Sequence, residues 1–134
     1  VRGELFPLPA LFKGLLEANG LGEKGRFVSP AEVALLPKNA FPLVVSFRAL
    51  GFLFPYRWYR ETILASLTLN GKLILDLAKE KSSFIESQSE AIKGRFQPGE
   101  LDHESALKEI EKDLHQSEII FSTANSARYC FRRK

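Results

Sequence analysis

Residues 67–75, LTLNGKLIL, place Asn70-Gly71 between two short aliphatic runs. Asn-Gly supplies the two positive φ angles of a tight type I′ turn, so this spacing predicts a β-hairpin. Pairing Leu69 with Lys72 and Leu67 with Ile74 puts aliphatic side chains on both faces, as in a hairpin covered on both sides. An antiparallel sheet is therefore the expected centre of the fold.

The flanking segments read as a mixture of helices and strands. LPALFKGLLEANG (8–20) is an amphipathic helix with Leu8, Leu11, Phe12, Leu15 and Leu16 on one face and Asn19-Gly20 as its stop. SPAEVALLP starts a helix with Ser29 as N-cap and Glu32 completing a capping box; Pro37 limits it to about two turns. PLVVSFRALGFLFP is bracketed by Pro42 and Pro55 and reads as a strand. Residues 56–67 fit helix or strand equally. Residues 76–92 and 102–116 read as helices, the second capped by Asp102. EIIFST and ARYCFRR finish as two strands joined by a short turn. The expected fold class is α+β, one small domain over 1–134 with a mainly antiparallel sheet packed by three to four helices.

Composition narrows the class. The 134 residues suit one domain, and 45% hydrophobic with 26% charged residues is ordinary for a globular chain. The lone Cys130 rules out an internal disulfide and a cysteine zinc cluster; a reducing, cytoplasmic setting is the expectation. The longest apolar run, 41–54, is broken by Arg48 and is too short to span a bilayer as a helix.

Catalytic motifs are scarce. Gly20-Leu21-Gly22-Glu23-Lys24-Gly25 fits G-x-G-x-x-G, but a dinucleotide loop follows a strand and opens a helix. Here a helix precedes it, so its dipole presents its negative end to the loop, and a helix-to-helix connector is expected. His103 and His115 are out of phase on the expected helix and do not share a metal. The carboxylates Asp102, Glu104, Glu109, Glu111 and Asp113 read as a solvated acidic face. No serine or cysteine sits in a nucleophile elbow. No cofactor and no metal site is expected.

The most unusual stretch is FRALGFLFPYRWYR, 47–60, with six aromatics, three arginines and no acid. The tail RYCFRRK repeats the pattern, and the net charge is +3. Aromatic faces stack on bases and arginines meet phosphates. The expected site is therefore Arg48, Tyr56, Arg57, Trp58, Arg60, Arg128, Arg132 and Arg133, acting on nucleic acid or a protein partner. The same letters suit an interface of a larger assembly, or a membrane-surface belt with the tail drawn to anionic lipid. The leading expectation is a small non-catalytic binding module. A protein-interaction subunit comes next, and a small enzyme, with a pocket formed only on folding, third.

Overall fold

A computed structural model describes residues 8–80 and 88–134. The chain divides into two compact units, 1–36 and 37–134.

In the first unit, helix α1 spans Leu8–Ala18 as its apolar spacing predicts. Its end is closed by Gly20 N donating to Glu17 O (3.1 Å) and Leu21 N to Leu16 O (2.8 Å). The Phe12 and Phe27 rings meet edge-on at 6.3 Å. The expected second helix is a 3-10 turn over Pro30–Leu35. The Ser29 amide donates to Glu32 Oε2 at 2.9 Å, as a capping box requires. Hydrogen bonds from Glu32 N to Ser29 O and from Leu36 N to Val33 O close i+3 turns. With Pro37 following, the tighter 3-10 form fits the short segment.

The second unit holds a four-stranded mixed sheet: β1 (Phe41–Ser46), β2 (Leu67–Ala78), β3 (Leu114–Ser122) and β4 (Ser126–Arg133). Their order is β1-β2-β4-β3. β1 runs parallel to β2, and β4 runs antiparallel to both β2 and β3. The α+β class stands, but the sheet is mixed. The link from β1 to β2 carries a 3-10 turn at Tyr56–Trp58 and helix α2, Arg60–Ser66. A parallel neighbour needs such a crossover. That settles residues 56–67 as helical up to Ser66. Among the described residues, helices α3 (Glu90–Lys93) and α4 (His103–Glu111) precede β3.

The Asn70-Gly71 hairpin is not formed. β2 continues through it, and the register on β1 jumps from Phe41↔Leu67 to Leu43↔Lys72. Residues 68–71 therefore bulge out of the ladder. Asn70 alone of the pair has the positive φ (63°), and Leu69 stands 76% exposed. Gly71 serves close approach instead: a Cβ there would lie 2.7 Å from Thr68 O and 3.0 Å from Thr68 N. Two other expectations shift in the same way. Asp76–Ala78 belong to β2, and of the helix expected over 76–92 the structure shows Glu90–Lys93, with 81–87 outside the described residues. α4 stops at Glu111, because fully buried Leu114 and then His115 and Gln116 enter β3. His115 is thus a strand residue, not a helix-end one. The hairpin of β3 and β4 forms as expected.

Strand alternation sorts the side chains. Leu73, Leu75 and Leu77 of β2 join Ala127, Tyr129 and Phe131 of β4 in one core with Ile63, Ile110 and Leu114. α4 packs on β2 and β3. On β1, Val44 packs against this core, while Leu43, Val45 and the following Phe47 stand about half exposed. Among the described residues, no helix is long and apolar enough to cross a membrane.

Candidate active site at the carboxyl ends of the strands

β1, β2 and β3 point the same way, so their carboxyl ends gather at one edge with the start of β4. Four chain segments therefore meet there: Ser46-Phe47-Arg48, Asp76–Lys79, Phe121–Thr123 and Asn125–Arg128. Ligands of open α/β sheets bind outside this edge.

Asp76 is the single acid in the apolar run LILDLA, and it is 3% exposed. Its β4 partner in the register is Arg128. Arg128 donates from Nε to Asp76 Oδ1 (2.6 Å) and from Nη2 to Oδ2 (3.0 Å), a two-pronged pair that fixes the plane of both groups. The guanidinium lies over the Phe47 ring (4.0 Å to its centre) and the Phe121 ring (4.7 Å). Bonding to Asp76 holds Arg128 above the usual arginine range, so it stays charged.

The loop after β1 shapes the other wall. Leu50 N donates to Ser46 Oγ at 3.1 Å, and Gly51 N to Phe54 O at 2.8 Å. Gly51 has φ 82°, and a Cβ on it would stand 2.3 Å from Leu77 Cδ2 and 3.0 Å from Asp76 O. Only glycine lets this loop lie against the end of β2. Arg48 itself has φ 56°, a left-handed conformation that costs energy in a side-chain-bearing residue. Its guanidinium stands 5.8 Å from the Phe52 ring centre. Arg48, Phe52, Asp76, Phe121 and Arg128 line a cavity of about 310 Å³, with Thr123, Asn125 and Ser126 completing it. Lys79 braces the adjacent turn, donating to Ser122 Oγ and to Thr123 O (2.8 Å).

A second cavity of about 370 Å³ lies between Lys79 and the first turn of α4. His103 shares a 2.7 Å hydrogen bond through Nε2 with the Tyr129 hydroxyl. Burial, and then Lys79, push the His103 pKa down from its ordinary value; burial pushes Tyr129 up. A third, about 130 Å³, is lined by apolar core residues and by Arg57 and Glu100.

Of the eight expected site residues, Arg48 and Arg128 come together in the edge cavity. The others are placed elsewhere. Tyr56 is buried and donates to Asp113 Oδ2 at 3.2 Å. Arg60 grips the same carboxylate from Nε (2.7 Å) and Nη2 (2.6 Å). That bonding lowers the Asp113 pKa, while burial, and then Asp113, raise that of Tyr56. Arg57 pairs with Glu100 (2.6 Å) and also donates to Arg95 O. Trp58 packs on Phe96 at 5.1 Å beneath the Arg95 guanidinium. Arg132 is exposed on β4 opposite Lys72 of β2. Arg133 donates to Asn39 Oδ1 and to Leu67 O. The acidic face read from the sequence is corrected at Asp113, which is mostly covered and holds Tyr56 and Arg60. Asp76 was not among the expected site residues, because the sequence reads it as the start of a helix over 76–92, and only the fold places it inside β2. Phe52 lay in the stretch singled out but not among the expected site residues, and Phe121, Thr123, Asn125 and Ser126 join it only through the fold.

No family model and no curated protein matches the chain. Among solved structures, it is similar to the N-methyltransferase NodS from Bradyrhizobium japonicum WM9, with a TM-score of 0.50 and 16% identity. The match covers 87% of this chain and 65% of that one. The likeness is one of fold, and the chain spans 65% of the length of the protein it resembles. It overturns the leading expectation of a non-catalytic binding module, since an enzyme is built on this arrangement of strands. The third expectation, an enzyme with a pocket formed on folding, accords better with it.

Proposed function

We propose that this chain belongs to a methyl-transfer enzyme and supplies its acceptor side, at the carboxyl ends of β1, β2 and β3. The observation that carries this reading is the fold shared with an N-methyltransferase over 87% of the chain. Two features support it. The edge cavity lies where ligands of open α/β sheets bind. Its charged wall is fixed in advance, because Asp76 orients Arg128 from both oxygens, and groups set before the substrate arrives need no reorganisation during reaction.

The described residues do not fit a methyl donor of the nucleoside type. Such a donor calls for a glycine-rich turn leading from a strand into a helix. The glycines at 20, 22 and 25 follow the end of α1 instead, and Gly20 N is bonded to Glu17 O. Asp76, the acid at the edge, is taken by Arg128. What the chain's own residues do is enclose the acceptor and hold it against the Phe52 and Phe121 rings.

The test is transfer itself. The protein, together with the chain or domain that holds the donor, is given S-adenosylmethionine labelled in its methyl group, with a panel of amine-bearing and carboxylate-bearing aromatic acceptors. Acceptor-dependent labelling is expected. Arg48→Gln should raise KM for the acceptor and leave kcat nearly unchanged, the pattern of lost ground-state binding. No labelling with any acceptor would sink the reading.

A further inference from the structure

We propose that the edge cavity binds an aromatic carboxylate, with Arg48 as its ionic partner and Phe52 and Phe121 as its walls. The proposal rests on placing the acceptor at this edge, and it specifies the chemistry that the edge selects.

The charges decide the sign of the ligand. Arg128 lines the cavity, but its Nε and Nη2 donate to Asp76, so the two groups neutralise each other. Arg48 is different. It is exposed, contacts the Phe52 ring, and has no carboxylate partner among the described residues. Among the described lining residues, Arg48 carries a positive charge that no carboxylate balances, and an anion matches it. A cationic ligand would meet Arg48 with like charge. A neutral ligand would cover the guanidinium and leave it unpaired.

The walls decide the ligand's shape. Phe52 and Phe121 offer aromatic surface, and the Arg128 guanidinium is already held against Phe47 and Phe121. A flat ring gains contact with such walls, by stacking or edge contact, that a compact oxyanion does not. Inorganic phosphate would leave the rings unused and would want a second free cation, which Arg128 does not provide. The volume of about 310 Å³ lies at the lower end of small-molecule sites and suits a single ring with a carboxylate. The Asn125 amide and the Ser126 hydroxyl line the same cavity, available to orient a ring substituent.

Benzoate, benzamide, benzylamine and inorganic phosphate are titrated in turn against the isotope-labelled protein. Amide shifts are followed at Arg48, Phe52, Thr123, Asn125 and Ser126. Saturable benzoate shifts confined to these residues are expected, with benzamide bound about tenfold more weakly. Arg48→Gln should weaken benzoate by about the same factor and leave benzamide unchanged, while Arg48→Lys keeps most of the affinity. Equal affinity for benzoate and benzamide, tighter binding of phosphate or benzylamine, or shifts centred elsewhere would each overturn the assignment. The two readings fail separately. Methyl transfer to some acceptor without benzoate binding refutes the ligand class and spares the enzyme. Benzoate bound in the cavity without any transfer refutes the enzyme and spares the ligand class.

Discussion

Replacing Gly51 by Ala tests the physical reason for the loop that shapes the edge cavity. The residue holds φ at 82°, where an L side chain crowds its own backbone. That conformation costs about 1–2 kcal/mol for alanine. The added Cβ would also stand 2.3 Å from Leu77 Cδ2 and 3.0 Å from Asp76 O. Leu77 is 1% exposed in the packed core and cannot swing aside freely; overpacking of this kind costs about 1–3 kcal/mol. Together the two effects take about 2–5 kcal/mol from a stability that is about 5–15 kcal/mol for a typical domain. With a urea slope of about 2 kcal/mol per molar, the midpoint should fall by about 1–2.5 M. Trp58 is the chain's single tryptophan and packs in the second unit, so its fluorescence reports unfolding of that unit. A midpoint unchanged within error would show that the loop does not need glycine and that the close approach to β2 is wrongly reasoned.

Two further outcomes follow from polar groups that are wholly or partly covered. Because His103 titrates below its ordinary 6.5, the folded protein binds fewer protons than the unfolded chain between that lowered value and 6.5. Stability should therefore fall as pH drops through this window, and His103→Gln should flatten a melting-temperature profile between about pH 7 and about pH 5; an unaltered slope would remove His103 as the cause. Tyr56→Phe deletes the hydroxyl bonded to Asp113 but leaves Arg60 on both carboxylate oxygens, so urea unfolding should show a loss of about 1 kcal/mol. A loss several times larger would mean that the hydroxyl, not Arg60, holds that carboxylate.

Local rules carried the reading of some elements and misled on others. α1, the Ser29 cap and the β3–β4 hairpin were legible because each is decided by neighbours within a few residues. Asn70-Gly71 obeyed the same local rule and was misread: the parallel pairing of β1 with β2 overrode the turn preference, and a bulge uses Asn70's positive φ as well as a hairpin would. Of the residues that line the edge cavity, the sequence marked two. Arg48 and Arg128 were picked out by their aromatic company, but composition does not show which arginine already has an acid. Asp76 lies 52 positions from Arg128, Asp113 lies 53 from Arg60 and Glu100 lies 43 from Arg57. Those pairings are set by strand order and helix placement, and they turn a stretch without acids into one whose arginines are mostly spoken for.

The position of β4 has a consequence for the order of assembly on the ribosome. β4 lies between β2 and β3 and bonds to both, yet it is the last of the four strands to be synthesised. Until residues 126–133 leave the exit tunnel, β2 exposes one open rung and β3 has no neighbour at all, while β1 and β2 can already pair. A nascent chain arrested before Ser126 therefore displays the apolar side chains of β2 unsealed and is a natural client for chaperones that recognise unpaired strands. Once residues 126–133 are clear of the tunnel, β4 can insert between β2 and β3 and seal the sheet in one concerted step.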